Sequence, residues 1–148
     1  MKIVVDRNII FSTLLNSDGT IGDLLFNSDK HFTFYSCNYM RYEIQKHWQR
    51  LQKISKLSDE QLGVSYTQVL SKLKFINEEI IPAETWVASE KITKGIDMDD
   101  TDFVALTKFL KATLWTGDKS LYEGLKRLDF KKMINTSELL ALRTTRSE

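Results

Sequence analysis

One cysteine, two histidines and one proline are spread through 148 residues, and each scarcity removes a class of protein. Cys37 alone forbids an internal disulfide framework, and with only His31 and His47 beside it no cysteine–histidine zinc cage can be assembled. A reducing, cytoplasmic setting is the natural expectation. Pro82, six glycines and the lack of any biased tract leave no linker at which to cut the chain and no repeat of fixed period, so residues 1–148 read as one domain. An excess of one charge is missing too. Lys and Arg total 21 against 20 Asp and Glu, so no global field draws the chain onto nucleic acid, and any preference must come from local patches. Long apolar runs are also lacking. The opening Ile3-Val4-Val5 stops at Asp6, far short of a signal sequence or a membrane span, and no membrane partner is expected.

What is present suits a globular chain: 42% apolar and 28% charged side chains can build one sizeable core. Ile3-Val4-Val5 is a β-branched run of the kind that lies buried as a strand, and Asn8 is placed to cap a helix through Leu15. Phe32 to Ser36 has strand character, and Asn38 offers a cap for a long helix from about Tyr39 to Leu57, with Ile44, Trp48 and Leu51 on its buried stripe. Ser58-Asp59-Glu60-Gln61 has capping-box spacing. Val69, Leu73, Ile76 and Ile80 recur with helical spacing before Pro82, and a short helix follows from Thr85 to Ile92. Phe103, Leu106 and Leu110 mark a helix, Thr113 to Thr116 a strand, and Lys132 to Asn135 a last strand leading through Thr136 or Ser137 into a short helix. Strands alternating with helices imply an α/β fold with a parallel sheet.

Open parallel sheets bind ligands at the carboxyl ends of their strands, and two of these strands finish in an aspartate, Asp6 and Asp118. The helix after the second strand carries Glu43 early in its length, and the helix feeding the Trp115 strand begins among Asp97, Asp99, Asp100 and Asp102. Several carboxylates can therefore converge. Two ionised carboxylates about 5 Å apart repel by roughly 3 kcal/mol at an effective dielectric near 20, so such a cluster persists only when protonated or filled by cations. With little sulfur or imidazole at hand, oxygen-only ligation points to Mg²⁺ or Mn²⁺.

Four islands carry a family resemblance: Val4-Val5-Asp6-Arg7-Asn8-Ile9-Ile10-Phe11-Ser12, Tyr42-Glu43-Ile44-Gln45-Lys46-His47, the run Asp97 to Leu106, and Leu114-Trp115-Thr116-Gly117-Asp118-Lys119-Ser120-Leu121. In this order they resemble the PIN domain, the metal-dependent nuclease fold of VapC-type toxins in toxin–antitoxin pairs. The third island has Met98 where that family usually has proline, and register selects Asp100 from its aspartates.

The resemblance implies a three-layer α/β/α fold around a mainly parallel sheet of about five strands. Asp6, Glu43, Asp100 and Asp118 would hold one or two Mg²⁺ or Mn²⁺ ions and hydrolyse RNA phosphodiesters, with Asn8, Ser12 and Thr116 orienting carboxylates and water. It also implies a protein antitoxin whose C-terminal segment covers the acidic pocket. Homodimers are common in the family, and the sequence leaves that state open. Lys46, Arg50 and Lys53 recur at i, i+4 and i+7 as a basic stripe, facing substrate phosphates in this reading and water otherwise. His47 shares the face of Glu43, and the three tryptophans sit on apolar patterns that favour the core.

Two rival functions stand beside this one. A haloacid-dehalogenase-type phosphatase also opens with strand and aspartate, yet needs an acid two residues on, where Asn8 stands and cannot serve as a general acid. A nuclease-like module that binds RNA or protein without cutting is the other. The presence of all four acids weighs against it.

Overall fold

The computed structural model describes residues 1–147. Strand β1 (Lys2–Val5) carries Ile3, Val4 and Val5, each 0% exposed, which requires cover on both sheet faces. It pairs in parallel with β2 (Thr33–Cys37) on one side and β4 (Thr113–Trp115) on the other. β3 (Leu73–Ile76) and β5 (Met133–Ile134) complete a five-stranded sheet of order β3-β2-β1-β4-β5, parallel throughout. The chain therefore steps outward from β1 to β3, then returns to the far side of β1 and steps outward again. That reversal opens a crevice between the carboxyl ends of β1 and β4.

Helices cover both faces, giving three α/β/α layers. α1 (Arg7–Leu15) packs against α2 (Thr20–Phe26), α4 (Trp48–Ser55) and α5 (Asp59–Ser71), while α7 (Thr101–Leu110) lies across β1, β2 and β4 with α6 (Ala83–Thr93) against it. α3 (Tyr39–Lys46), α8 (Lys119–Arg127) and α9 (Thr136–Ser147) complete the set of nine α-helices among the described residues. None of the described helices is long and apolar enough to cross a membrane. Fully buried Phe103 and Trp115 anchor the core, and the Trp115 indole N–H donates to Thr136 Oγ1 at 3.1 Å.

Several local expectations are corrected. Asp6, not Asn8, caps α1, by accepting the Arg7 N–H at 2.8 Å, and Asn8 lies inside the helix. The long helix from Tyr39 is two helices, because His47 leaves helical geometry at φ −103°, ψ 14° and α4 restarts at Trp48. The Trp48 indole N–H then donates to Asp59 Oδ1 at 2.7 Å, tying α4 to the start of α5. The apolar spacing from Val69 to Ile80 is not one helix. α5 ends at Ser71, and Leu73 to Ile76 pair with Phe34 to Cys37 of β2. Sheet pairing overrides the helical period there, since four residues are too few for periodicity to decide. The closing helix, α9, has 12 residues and is not short. The capping box at Ser58 forms as expected: Ser58 Oγ accepts the Gln61 N–H at 3.1 Å while Gln61 Oε1 accepts the Ser58 N–H at 2.9 Å.

Candidate active site

Asp6 leaves β1 into the crevice and is buried, because the next residue already turns into α1. Its Oδ1 accepts the Arg7 backbone N–H, and its Oδ2 accepts the Thr116 hydroxyl at 2.7 Å. Thr116 follows β4 and is itself buried. The same Thr116 oxygen accepts the Asp118 backbone N–H at 3.0 Å, so one hydroxyl links the exits of two neighbouring strands. Asp118 caps α8, with Oδ1 accepting the N–H groups of Ser120 and Leu121 at 2.9 and 3.2 Å.

The acidic run sorts itself by burial. Asp97 and Asp99 are exposed, Asp97 accepting the Asp99 N–H at 2.9 Å, whereas Asp100 is 2% exposed. Arg7 Nη2 stands 3.7 Å from Asp100 Oδ1, beyond hydrogen-bond range, so the pair is an ionic contact without a direct bond. Asp100 Oδ2 is buried with no hydrogen-bond partner among the described residues.

Electrostatics join the same three acids. Burial pushes the Asp6 carboxyl up, opposed by the Thr116 and Arg7 hydrogen bonds and the Arg7 charge, with Asp118 adding to the rise. Asp100 is pushed up to about 7, by burial first and then by the charges of Asp6 and Asp97, while Arg7 pulls it back. A carboxylate so placed is costly when charged and uncompensated.

Glu43 has partners of its own. It is buried on α3, its Oε2 lies 3.3 Å from His47 Nε2, and its carboxylate beside the Tyr39 hydroxyl drives that phenol's pKa upward. Its charge also helps raise Asp102, pushed up to about 6 by burial and Glu78 ahead of Glu43. Close by, Cys37 Sγ and oxygens of Glu78 and Asp102 all lie within 4.8 Å of one another. Burial first, and then the charges of Glu78 and Asp102, push the Cys37 thiol up.

The remaining expected residues spread along the rim. Asn8 is half-buried beside Arg7 in a cavity between α1 and α4, which Arg50 also lines. Ser12 is exposed on α1, lining a different hollow with Thr136. The break at His47 separates Lys46, at the end of α3, from Arg50 and Lys53 on α4, so the expected continuous stripe is divided. Arg7 and Asp102 are the residues that sequence reasoning gave no individual role. Adjacency to Asp6 was the one signal for the first, and membership of the acidic run for the second.

The sequence matches the PIN domain over residues 4–144. The chain belongs to the PIN domain family. Its members are nucleases, which fits an acid-lined crevice at a strand switch. Among solved structures this PIN domain is similar to VapBC2 from Rickettsia felis bound to a DNA fragment from its promoter, with a TM-score of 0.65 and 19% identity, covering 91% of this chain and 98% of the other. It is also similar to PAE2754 from Pyrobaculum aerophilum, with a TM-score of 0.69 and 14% identity over 98% of this chain and 90% of that one. No curated protein matches its sequence.

Proposed function

We propose that residues 1–148 act as one PIN domain that is a metal-dependent endoribonuclease, the toxin of a type II toxin–antitoxin pair. The observation carrying this reading is the buried, unpartnered Asp100 Oδ2, whose carboxyl is pushed up by burial first and then by the charges of Asp6, Asp97 and Asp118. An orphaned buried acceptor costs about 1–3 kcal/mol, and a hard divalent cation would satisfy it. Asp6, Asp100 and Asp118 would hold one such ion, Mg²⁺ or Mn²⁺, and Glu43 with Asp102 would hold a second. Ions bound there lower the pKa of water to supply a nucleophile and offset charge on the leaving oxygen.

The chain's own groups do the rest. Thr116 fixes Asp6 and the Asp118 backbone, so the acids keep their spacing without the ion. His47 holds Glu43 by its Nε2, and Arg7 neutralises part of the acidic charge. Lys46 and Arg50 are the phosphate contacts of this reading, with Asn8 and Ser12 orienting water at the rim. Likeness in fold to VapBC2 supports a protein antitoxin as partner. An RNA substrate and a single reduced thiol suit the cytoplasm.

The test is cleavage of structured RNA by purified protein with Mn²⁺ and with EDTA, beside Asp6→Asn and Asp118→Asn. Cutting that requires Mn²⁺ and is abolished in both variants is expected. Equal cutting in chelator, or by either variant, removes the metal mechanism, and RNA bound but left whole favours a non-catalytic module.

A further inference from the structure

Beside the acidic crevice, α1 and α4 border a cavity of about 320 Å³ whose apolar part no step above uses. Its apolar lining is Phe11, Leu15, buried Leu51 and Ile54, the last 54% exposed. Arg7, Arg50 and His47 line it as well, with no carboxylate among the described lining residues. The His47 ring meets Phe11 edge-on, with centroids 5.8 Å apart.

Two of these residues also touch the acids. Arg7 lies 3.7 Å from Asp100 and His47 3.3 Å from Glu43, so two walls of the cavity are shared with residues that contact the acids. A ligand filling the cavity must be negatively charged near Arg7 and Arg50 and flat and apolar where it meets Phe11 and Ile54. Phosphate alone would leave the apolar lining unused, and an aliphatic side chain would leave the cations unpaired. A nucleotide satisfies both, and the volume accommodates a base.

We infer that this cavity is a base-binding subsite for one unpaired nucleotide of the RNA strand, its base against Phe11 and Ile54 and its phosphate between Arg7 and Arg50. This rests on the ribonuclease reading and adds how the strand is seated beside the cutting centre. The subsite favours single-stranded or looped RNA, because a paired base cannot enter.

Binding is measured in EDTA, where no cutting occurs, with a fluorescein-labelled single-stranded RNA and the full chain, as wild type, Ile54→Glu and Arg50→Glu. Both substituted positions are exposed, and an unshifted melting temperature establishes that each variant folds. The expected result is RNA affinity weakened about tenfold in each variant. In wild type, uridine 5′-monophosphate should displace the RNA at concentrations about tenfold below those needed of inorganic phosphate. Equal RNA affinity in folded Ile54→Glu, or equal displacement by the nucleotide and by phosphate, overturns the subsite; either result would leave the cavity to a protein side chain. A parallel Mn²⁺ cleavage assay on wild type separates the two ideas. Wild-type cutting alongside undiminished variant binding sinks the subsite alone, whereas no cutting at all sinks the ribonuclease reading on which it rests.

Discussion

Thr116 Oγ1 donates to Asp6 Oδ2 at 2.7 Å from the far side of the β1–β4 pairing, and both groups are buried. Its own lone pair receives the Asp118 N–H, so the hydroxyl is used in both directions. Thr116→Val keeps the shape and removes the hydroxyl. It is expected to lower RNA cleavage about 10- to 100-fold and to weaken Mn²⁺ binding, with Thr116→Ser restoring most of both. Calorimetric Mn²⁺ titration beside turnover measures this. Unchanged affinity and turnover in the valine variant would assign the hydroxyl a purely architectural part.

Protonation of Asp100 links to stability with a definite sign. Its folded pKa of about 7 lies above the ordinary 3.8, so between those values the folded chain holds a proton the unfolded chain has released. Metal-free stability is therefore greatest at the acid end of that window and falls as pH rises toward 7. Asp102, pushed up to about 6, adds in the same direction. Urea unfolding in EDTA from pH 4.5 to 7.5, compared with Asp100→Asn, measures it, and the variant should show a flatter decline. A wild-type stability that climbs across the range contradicts the assignment.

Divalent ions should reverse that trend, since they bind ionised carboxylates. At about a hundred times its dissociation constant a ligand adds roughly 2.7 kcal/mol, which for a chain of this size raises Tm by about 5–10 °C. Mn²⁺ should produce that rise at pH 8 and little of it at pH 5. Asp118→Asn showing the full rise would place the ion elsewhere.

Two glycines on helices should respond oppositely to alanine. A Cβ on Gly22 would stand 2.1 Å from the Ser17 carbonyl oxygen, a backbone atom with nowhere to go, so Gly22→Ala should cost about 1–3 kcal/mol. Gly63 lies inside α5 with nothing within 4 Å of that position, and Gly63→Ala should gain roughly 0.5–1 kcal/mol. Thermal melts of the two proteins decide it, and a stabilised Gly22→Ala would refute the packing described for α2.

Much of this site was legible before folding was known. A β-branched run ending in Asp6 and the Thr116-Gly117-Asp118 exit both announce strand ends, and strand ends of a parallel sheet meet at one edge. β3 was hidden because four residues between a helix and a turn carry no decisive period. The choice of Asp100 within its run rested on register in the sequence. In the folded chain Asp97 and Asp99 face water and Asp100 does not. The break at His47 and the ionic contact of Arg7 with Asp100 depend on packing between remote segments, which no local pattern encodes.

That Arg7 contact has a consequence for turnover. The resting protein carries a guanidinium beside the carboxylate an incoming ion would claim, 3.7 Å away and without a direct hydrogen bond. A resident cation so placed should temper the affinity for the proposed ion. Arg7→Met should take up Mn²⁺ about tenfold more tightly at pH 8, by titration calorimetry, while cutting RNA more slowly; weaker uptake would mean the guanidinium organises the acids instead of rivalling the metal. Tempered in this way, the crevice would release its cargo between encounters, and its readiness would track the free ion concentration around it.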